Sequence, residues 1–148
     1  MEQPHKPDEH YWTKNQNAQK IVSWRGFAFE NVCFQHTDQI KKALDILGVQ
    51  TTQSAWIGAD EELGATQIDL LLDREDRVLN MCEIKYWGGM FSVDKAYYQA
   101  LSNRQMILAA KISPKKVIHH TLITTYGLSR NEYSGIFSKV ITLDDFFA

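Results

Sequence analysis

The sequence predicts an α/β domain. Three observations carry that expectation: two stretches with helical spacing of apolar residues, a segment around Asp69 that alternates as a half-buried strand does, and a chain order of helix, three strands, helix and strand. The 148 residues fit one domain, and a chain of that size buries roughly 70% of its unfolded surface. Apolar and charged fractions of 44% and 23% are those of a folded protein rather than a disordered one.

Residues 1–22 are polar and broken by Pro4 and Pro7. They are expected to be a lead-in or linker. With no hydrophobic signal core in this stretch, a cytoplasmic location is expected. No apolar run reaches the roughly 20 residues needed to span a bilayer, so no membrane association is expected. The first helical segment begins near Ser23, a suitable cap, and runs through WRGFAFENVCFQHTDQIKKALDIL to a stop at Gly48. One bent helix or two both fit, with the uncertain point at His36 to Asp38. Phe27, Phe34, Ile40, Leu44 and Leu47 form the expected inward stripe.

VQTTQSAWIG reads as a strand. TQIDLLLD is a second, with Ile68, Leu70 and Leu72 on one face and Asp69, Leu71 and Asp73 on the other. The charged DREDR is a turn. VLNMCEIKYW is a third strand that sets Glu83 and Lys85 together, opposite Cys82 and Ile84, and a hairpin joins it to the second. After Gly88-Gly89, SVDKAYYQALSNRQMILAA reads as a helix capped by Ser92, with Val93, Ala96, Tyr97, Ala100, Arg104 and Ile107 near one side. Pro114 separates it from the strand VIHHTLITTYG, and VITLDDFF is a short closing strand or turn.

Net charge is −2, but Asp60 to Glu83 hold eight acids against Arg74 and Arg77, a balance of −6 that leaves +4 elsewhere. An acidic centre repels a phosphate backbone unless cations intervene; a solvated acidic surface has the same composition. The hairpin brings Asp69 beside Glu83, and Glu83 and Lys85 share a face. Paired carboxylates are costly to desolvate, and a hard divalent cation, Mg²⁺ or Mn²⁺, relieves that cost. Such a metal polarises a phosphodiester and activates water, while Lys85 orients the attacking water and stabilises the charge that develops. The competing reading is a surface Glu-Lys pair flanking an Asp. Glu30 lies between Phe27 and Phe34 on a mainly apolar side, where a carboxylate needs a partner or cation. A second metal, water-mediated contact with the first, or a helix salt bridge all satisfy it.

GFAFE ending at Glu30, QIDLLL with Asp69 and CEIKYW with Glu83 and Lys85 together resemble the PD-(D/E)xK, or restriction-endonuclease-like, superfamily. With FSVDKAYYQAL added, the chain looks like the nuclease-like domain at the C-terminal side of certain prokaryotic P-loop ATPases. The resemblance covers 23–148. It implies a three-layer fold, a central mixed β-sheet with flanking helices. It also implies metal coordination by Asp69, Glu83 and the carbonyl of Ile84, with Lys85 catalytic and Glu30 auxiliary. Ile68 stands where the pattern has Pro. Tyr98 or Gln99 is placed by the same resemblance to reach a scissile phosphate or support Lys85, and Lys95 to neutralise phosphate or Asp94; exposed roles are the alternative for each. Trp87 is placed either to stack on a base or to pack at a strand end.

The remaining signals are weaker. Cys33 and Cys82 form at most one pair and read as reduced, buried thiols. Adjacent His119 and His120 face opposite sides of a strand and cannot share a metal. Lys111, Lys115 and Lys116 make a small positive patch. There is no GxxxxGK[ST] element, so any ATPase module would be a separate partner domain. The leading expectation is metal-dependent hydrolysis of DNA, or of RNA. The alternatives are a nuclease-like interaction or regulatory domain attached to an ATPase, with little turnover, and a structural α/β domain with an accidental acidic cluster.

Overall fold

A computed structural model describes residues 25–62 and 64–147. Contacts divide the chain into two units, Met1–Gln35 and His36–Ala148. In the first unit, residues 25–35 form helix α1, in which Phe29 and Cys33 are buried and Phe27 is exposed. The expected cap at Ser23 and the polar stretch 1–22 lie outside the described residues.

The second unit opens with α2 (Thr37–Ala43) and continues with β1 (Thr51–Asp60), β2 (Gly64–Arg74) and β3 (Val78–Lys85). Helix α3 (Lys95–Ala109), β4 (Val117–Thr124) and the three-residue β5 (Lys139–Ile141) follow. The strands form one mixed sheet in chain order, with β1–β2 and β2–β3 antiparallel and β3–β4 and β4–β5 parallel. Parallel β3 and β4 need a crossover, and α3 supplies it. This is the expected mixed sheet with flanking helices.

Central position explains the composition of β3. All of Leu79 to Ile84 is buried, a near-continuous run rather than an alternation, as expected for a strand covered on both faces. On one face, Ile68 and Leu71 of β2 and Leu79 and Met81 of β3 pack with Leu108 of α3, and Leu122 of β4 packs with Leu101 of α3. The register pairs Leu70 with Cys82 and Leu71 with Met81, and Asp69 follows directly beyond the last of these pairs, where the pairing of β2 with β1 shifts register. Arg74 fixes the β2–β3 turn that sets this register. Its guanidinium donates to Asp76 at 2.9 and 2.5 Å and to Asn80 Oδ1 at 3.1 Å. The guanidinium also holds the Asp76 carboxyl below the usual carboxylate range. Arg77 takes the left-handed conformation that closes the turn (φ 69°).

Several boundaries differ from expectation. The first helical segment is two helices, broken at His36, and α2 ends at Ala43 rather than continuing to Gly48. Of its predicted stripe Ile40 is buried, but Phe27 of α1 and Leu47, which lies past the end of α2, are exposed. On α3 the cap is Asp94, not Ser92. Its side chain accepts from Tyr97 N at 2.7 Å, and the helix buries Leu101, Ile107 and Leu108 while Ala96 and Ala100 face solvent. Ser92 and Asp94 are both good capping residues, and propensity alone does not choose between them. Asp94→Ala is expected to lower stability by about 1 kcal/mol, with Ser92→Ala near neutral, read by urea unfolding of both variants.

Cys33 and Cys82 are buried thiols outside any disulfide, as expected. Burial, with the charge of Glu30 behind it, pushes the Cys33 thiol up to about 12, which leaves it inert at neutral pH. Among the described residues no helix is long and apolar enough to cross a membrane.

Candidate active site

The site belongs wholly to the second unit and is assembled from β2, β3 and α3. Asp69 and Glu83 come from adjacent strands. Asp69 Oδ2 accepts from the backbone N–H of Ile84 at 3.3 Å, which turns its carboxylate toward β3. Lys85, two residues beyond Glu83, extends its ammonium over the ring of Tyr97, 5.2 Å from the centroid. The hairpin therefore gathers Asp69, Glu83 and Lys85, although the expected alternation of β2 is interrupted: a register shift at Asp69–Leu70 puts Ile68 in the same cluster as Leu71.

Glu83 is 2% exposed, and both its oxygens are taken. Oε1 accepts from Tyr97 Oη at 2.9 Å, and Oε2 accepts from Arg104 Nη1 in a short ion pair. Arg104 is anchored a second time, by Nε donating to Thr66 Oγ1 of β2 at 2.9 Å. Tyr97 and Arg104 are seven positions apart, two turns of α3, so both project from the face that lies on the sheet. These are the residues that sequence reasoning missed. It placed both on the packed side of the helix, where a phenol and a guanidinium require polar partners, but did not connect them to Glu83.

The electrostatics follow from burial. Desolvation first, then the charge of Glu83, raises Asp69 above the usual carboxylate range; the Ile84 N–H and the charges of Lys85 and Arg104 act against that shift without cancelling it. Burial and the adjoining Glu83 push the Tyr97 phenol well above its normal range, so it is a hydrogen-bond donor and not a base. For Arg104, burial lowers the pKa, but the hydrogen bond and charge of Glu83 outweigh it and the net direction is up. The guanidinium is permanently charged.

Of the other expected site residues, Glu30 is in α1 of the first unit and is half-buried. Lys95 and Gln99 are exposed on α3, and Tyr98 packs its ring against Tyr133 at 5.4 Å between centroids. Among the described residues, the α3 side chains bonded to Glu83 are Tyr97 and Arg104. Trp87 is half-exposed and meets Phe91 edge-on, 5.8 Å between centroids, while Thr125 Oγ1 accepts from its backbone N–H and donates to its carbonyl. His119 is exposed and His120 buried, on opposite faces as expected. The ring of His120 lies under α3, with Nε2 2.6 Å from Gln105 Oε1 and Nδ1 without a partner. Burial, reinforced by Arg104, holds its pKa down to about 4.

A divalent cation of the expected kind would draw on Asp69, Glu83 and the carbonyl of Ile84. Each oxygen of Glu83 already accepts one hydrogen bond, and among the described residues no group of three or more His, Cys, Asp and Glu stands together. Glu83 has a resident cation already, and it is an arginine.

No family model and no curated protein matches the chain. Among solved structures, the crystal structure of AF1548, a protein of unknown function, is similar at 15% identity and a TM-score of 0.47, over 69% of this chain and 53% of that one. The chain thus spans about half the length of the protein it resembles.

Proposed function

We propose that this chain is a nuclease-like domain whose acidic site is closed on itself, serving as an interaction or regulatory module attached to an ATPase, with little or no phosphodiester turnover. The observation that carries this reading is the buried ion pair of Glu83 with Arg104, with Tyr97 bonded to the other oxygen. Asp69 and Glu83 balance Lys85 and Arg104 in charge, so the site is neutral without a metal. A buried carboxylate that is paired and hydrogen-bonded exerts little further pull on a cation. The ATPase enters through the resemblance of FSVDKAYYQAL and the strand motifs, not through any contact in the fold.

A second reading is Mg²⁺- or Mn²⁺-dependent hydrolysis of DNA, or of RNA. What favours it is the convergence of Asp69, Glu83 and Lys85 and the raised pKa of Asp69, which burial causes first and the neighbouring Glu83 carboxylate adds to. The two readings separate in a cleavage assay with linear, circular, single-stranded and branched DNA and with RNA, in Mg²⁺ and in Mn²⁺. Wild type is expected to cleave no faster than Asp69→Ala or Lys85→Ala. Metal-dependent cleavage by wild type that both substitutions abolish would overturn the closed-site reading in favour of the nuclease.

A further inference from the structure

The guanidinium of Arg104 bridges two strands. Nη1 is on Glu83 of β3 and Nε is on Thr66 of β2, so the side chain is fixed at two points while only 19% exposed. A planar fork held at both ends does not drift away from its carboxylate as a single-point lysine would. Its charge sits beside both acids: it opposes the raised pKa of Asp69 as well as binding Glu83. A small divalent cation demands near-octahedral oxygen ligands about 2.0–2.1 Å away. To use Glu83 it would have to share or displace the hydrogen bonds of the guanidinium and the Tyr97 hydroxyl, beside the fixed positive charge of Arg104.

We propose that Arg104 is a built-in counter-ion that keeps the Asp69–Glu83 pair closed to divalent cations, and that Thr66 is the anchor that holds it in place. This rests on the closed-site reading above and adds a regulatory element to it: a movement of α3 that draws Arg104 off Glu83 converts a neutral structural cluster into a pair of carboxylates available to a cation. Opening thus requires only that one side chain leave, with no change in the strands that carry the acids.

The test is Mn²⁺ alone, titrated into the intact chain and followed by loss of the free-ion paramagnetic resonance signal, with folding checked by circular dichroism. Arg104→Gln is expected to bind at least about tenfold tighter than wild type, since two carboxylates without a counter-ion attract a hard cation strongly. Adding Asp69→Asn to that variant should abolish the gain, and Arg104→Lys, which returns the charge, should show little of it. Thr66→Val, nearly isosteric and remote from Glu83, is expected to show a smaller gain in the same direction, and it decides the matter if Arg104→Gln does not fold. If folded Arg104→Gln and Thr66→Val bind no better than wild type, the counter-ion role is overturned while the weak interaction domain stands. If wild type itself binds Mn²⁺ tightly and Asp69→Asn removes that binding, both the counter-ion role and the closed-site reading fail.

Discussion

Glu83→Leu is expected to destabilise the domain by about 3–5 kcal/mol, the cost of leaving one member of a buried ion pair without its partner. The substitution strands the Arg104 guanidinium and the Tyr97 hydroxyl at a position where Glu83 is 2% exposed, so water does not replace the lost acceptor. That loss is a large part of the roughly 5–15 kcal/mol that holds a typical domain together. Truncating both partners is a different experiment. Glu83→Leu with Arg104→Met removes both charges and fills the space with apolar atoms, and it is expected to recover most of the loss, because a buried ion pair is often matched by well-packed hydrophobic residues. Urea unfolding at neutral pH of wild type, both single variants and the double variant gives the coupling directly. Near-wild-type stability for Glu83→Leu would mean that the contact with Arg104 is too loose to matter.

The second large effect concerns acid. His120 has an ordinary pKa of 6.5 when unfolded and about 4 when buried, so between those values the unfolded chain binds a proton that the native one resists. Its folded pKa is depressed, and the stability it lends is therefore complete above about pH 6.5 and lost as pH falls toward 4. The accumulated loss is of order 3 kcal/mol. His120→Gln keeps a polar side chain beside Gln105 but has nothing to titrate. The difference in unfolding free energy between wild type and this variant is expected to change by that amount across the window; an unchanged difference would place the imidazole in contact with water. Asp69 acts in the opposite sense. Its folded pKa is raised above 3.8, so its contribution declines as pH rises through that value, which is why a comparison between variants is needed rather than the wild-type profile alone.

The parts of this architecture that could be read from the sequence are those governed by short periods. Glu83 with Lys85 set apart from Cys82 and Ile84 follows from the two-residue repeat of a strand, and the DREDR turn dictates that the two strands meet; on β2 the repeat fails at Asp69–Leu70, where a register shift puts Ile68 with Leu71 and no local pattern marks the extra residue. What could not be read was the occupant of the space between them. Arg104 lies twenty-one residues beyond Glu83, across a loop and two turns of helix. Its partner depends on how α3 is rotated over the sheet, which no local pattern specifies. A signal was present all the same: Tyr97 and Arg104 lie on the same side as Ile107, and polar groups on a buried helix face have to be answered from the sheet. The break at His36 was left open in the sequence because that stretch has neither Gly nor Pro to mark it. The choice of Asp94 over Ser92 was hidden for a similar reason, since the two residues cap equally well and only the path of the chain after Gly88-Gly89 decides between them.

The closed site is most directly tested by amide NMR of the wild-type chain during addition of substoichiometric Mn²⁺. With Arg104 in place of a cation, the Ile84 and Lys85 amides, which border the two carboxylates, should broaden no more than amides elsewhere in β3, and the Arg104 Nε–H signal should stay protected. Selective loss of the Ile84 and Lys85 signals at low Mn²⁺, reversed by chelator and absent in Asp69→Asn, would show that a metal enters between Asp69 and Glu83 and that arginine does not hold it out.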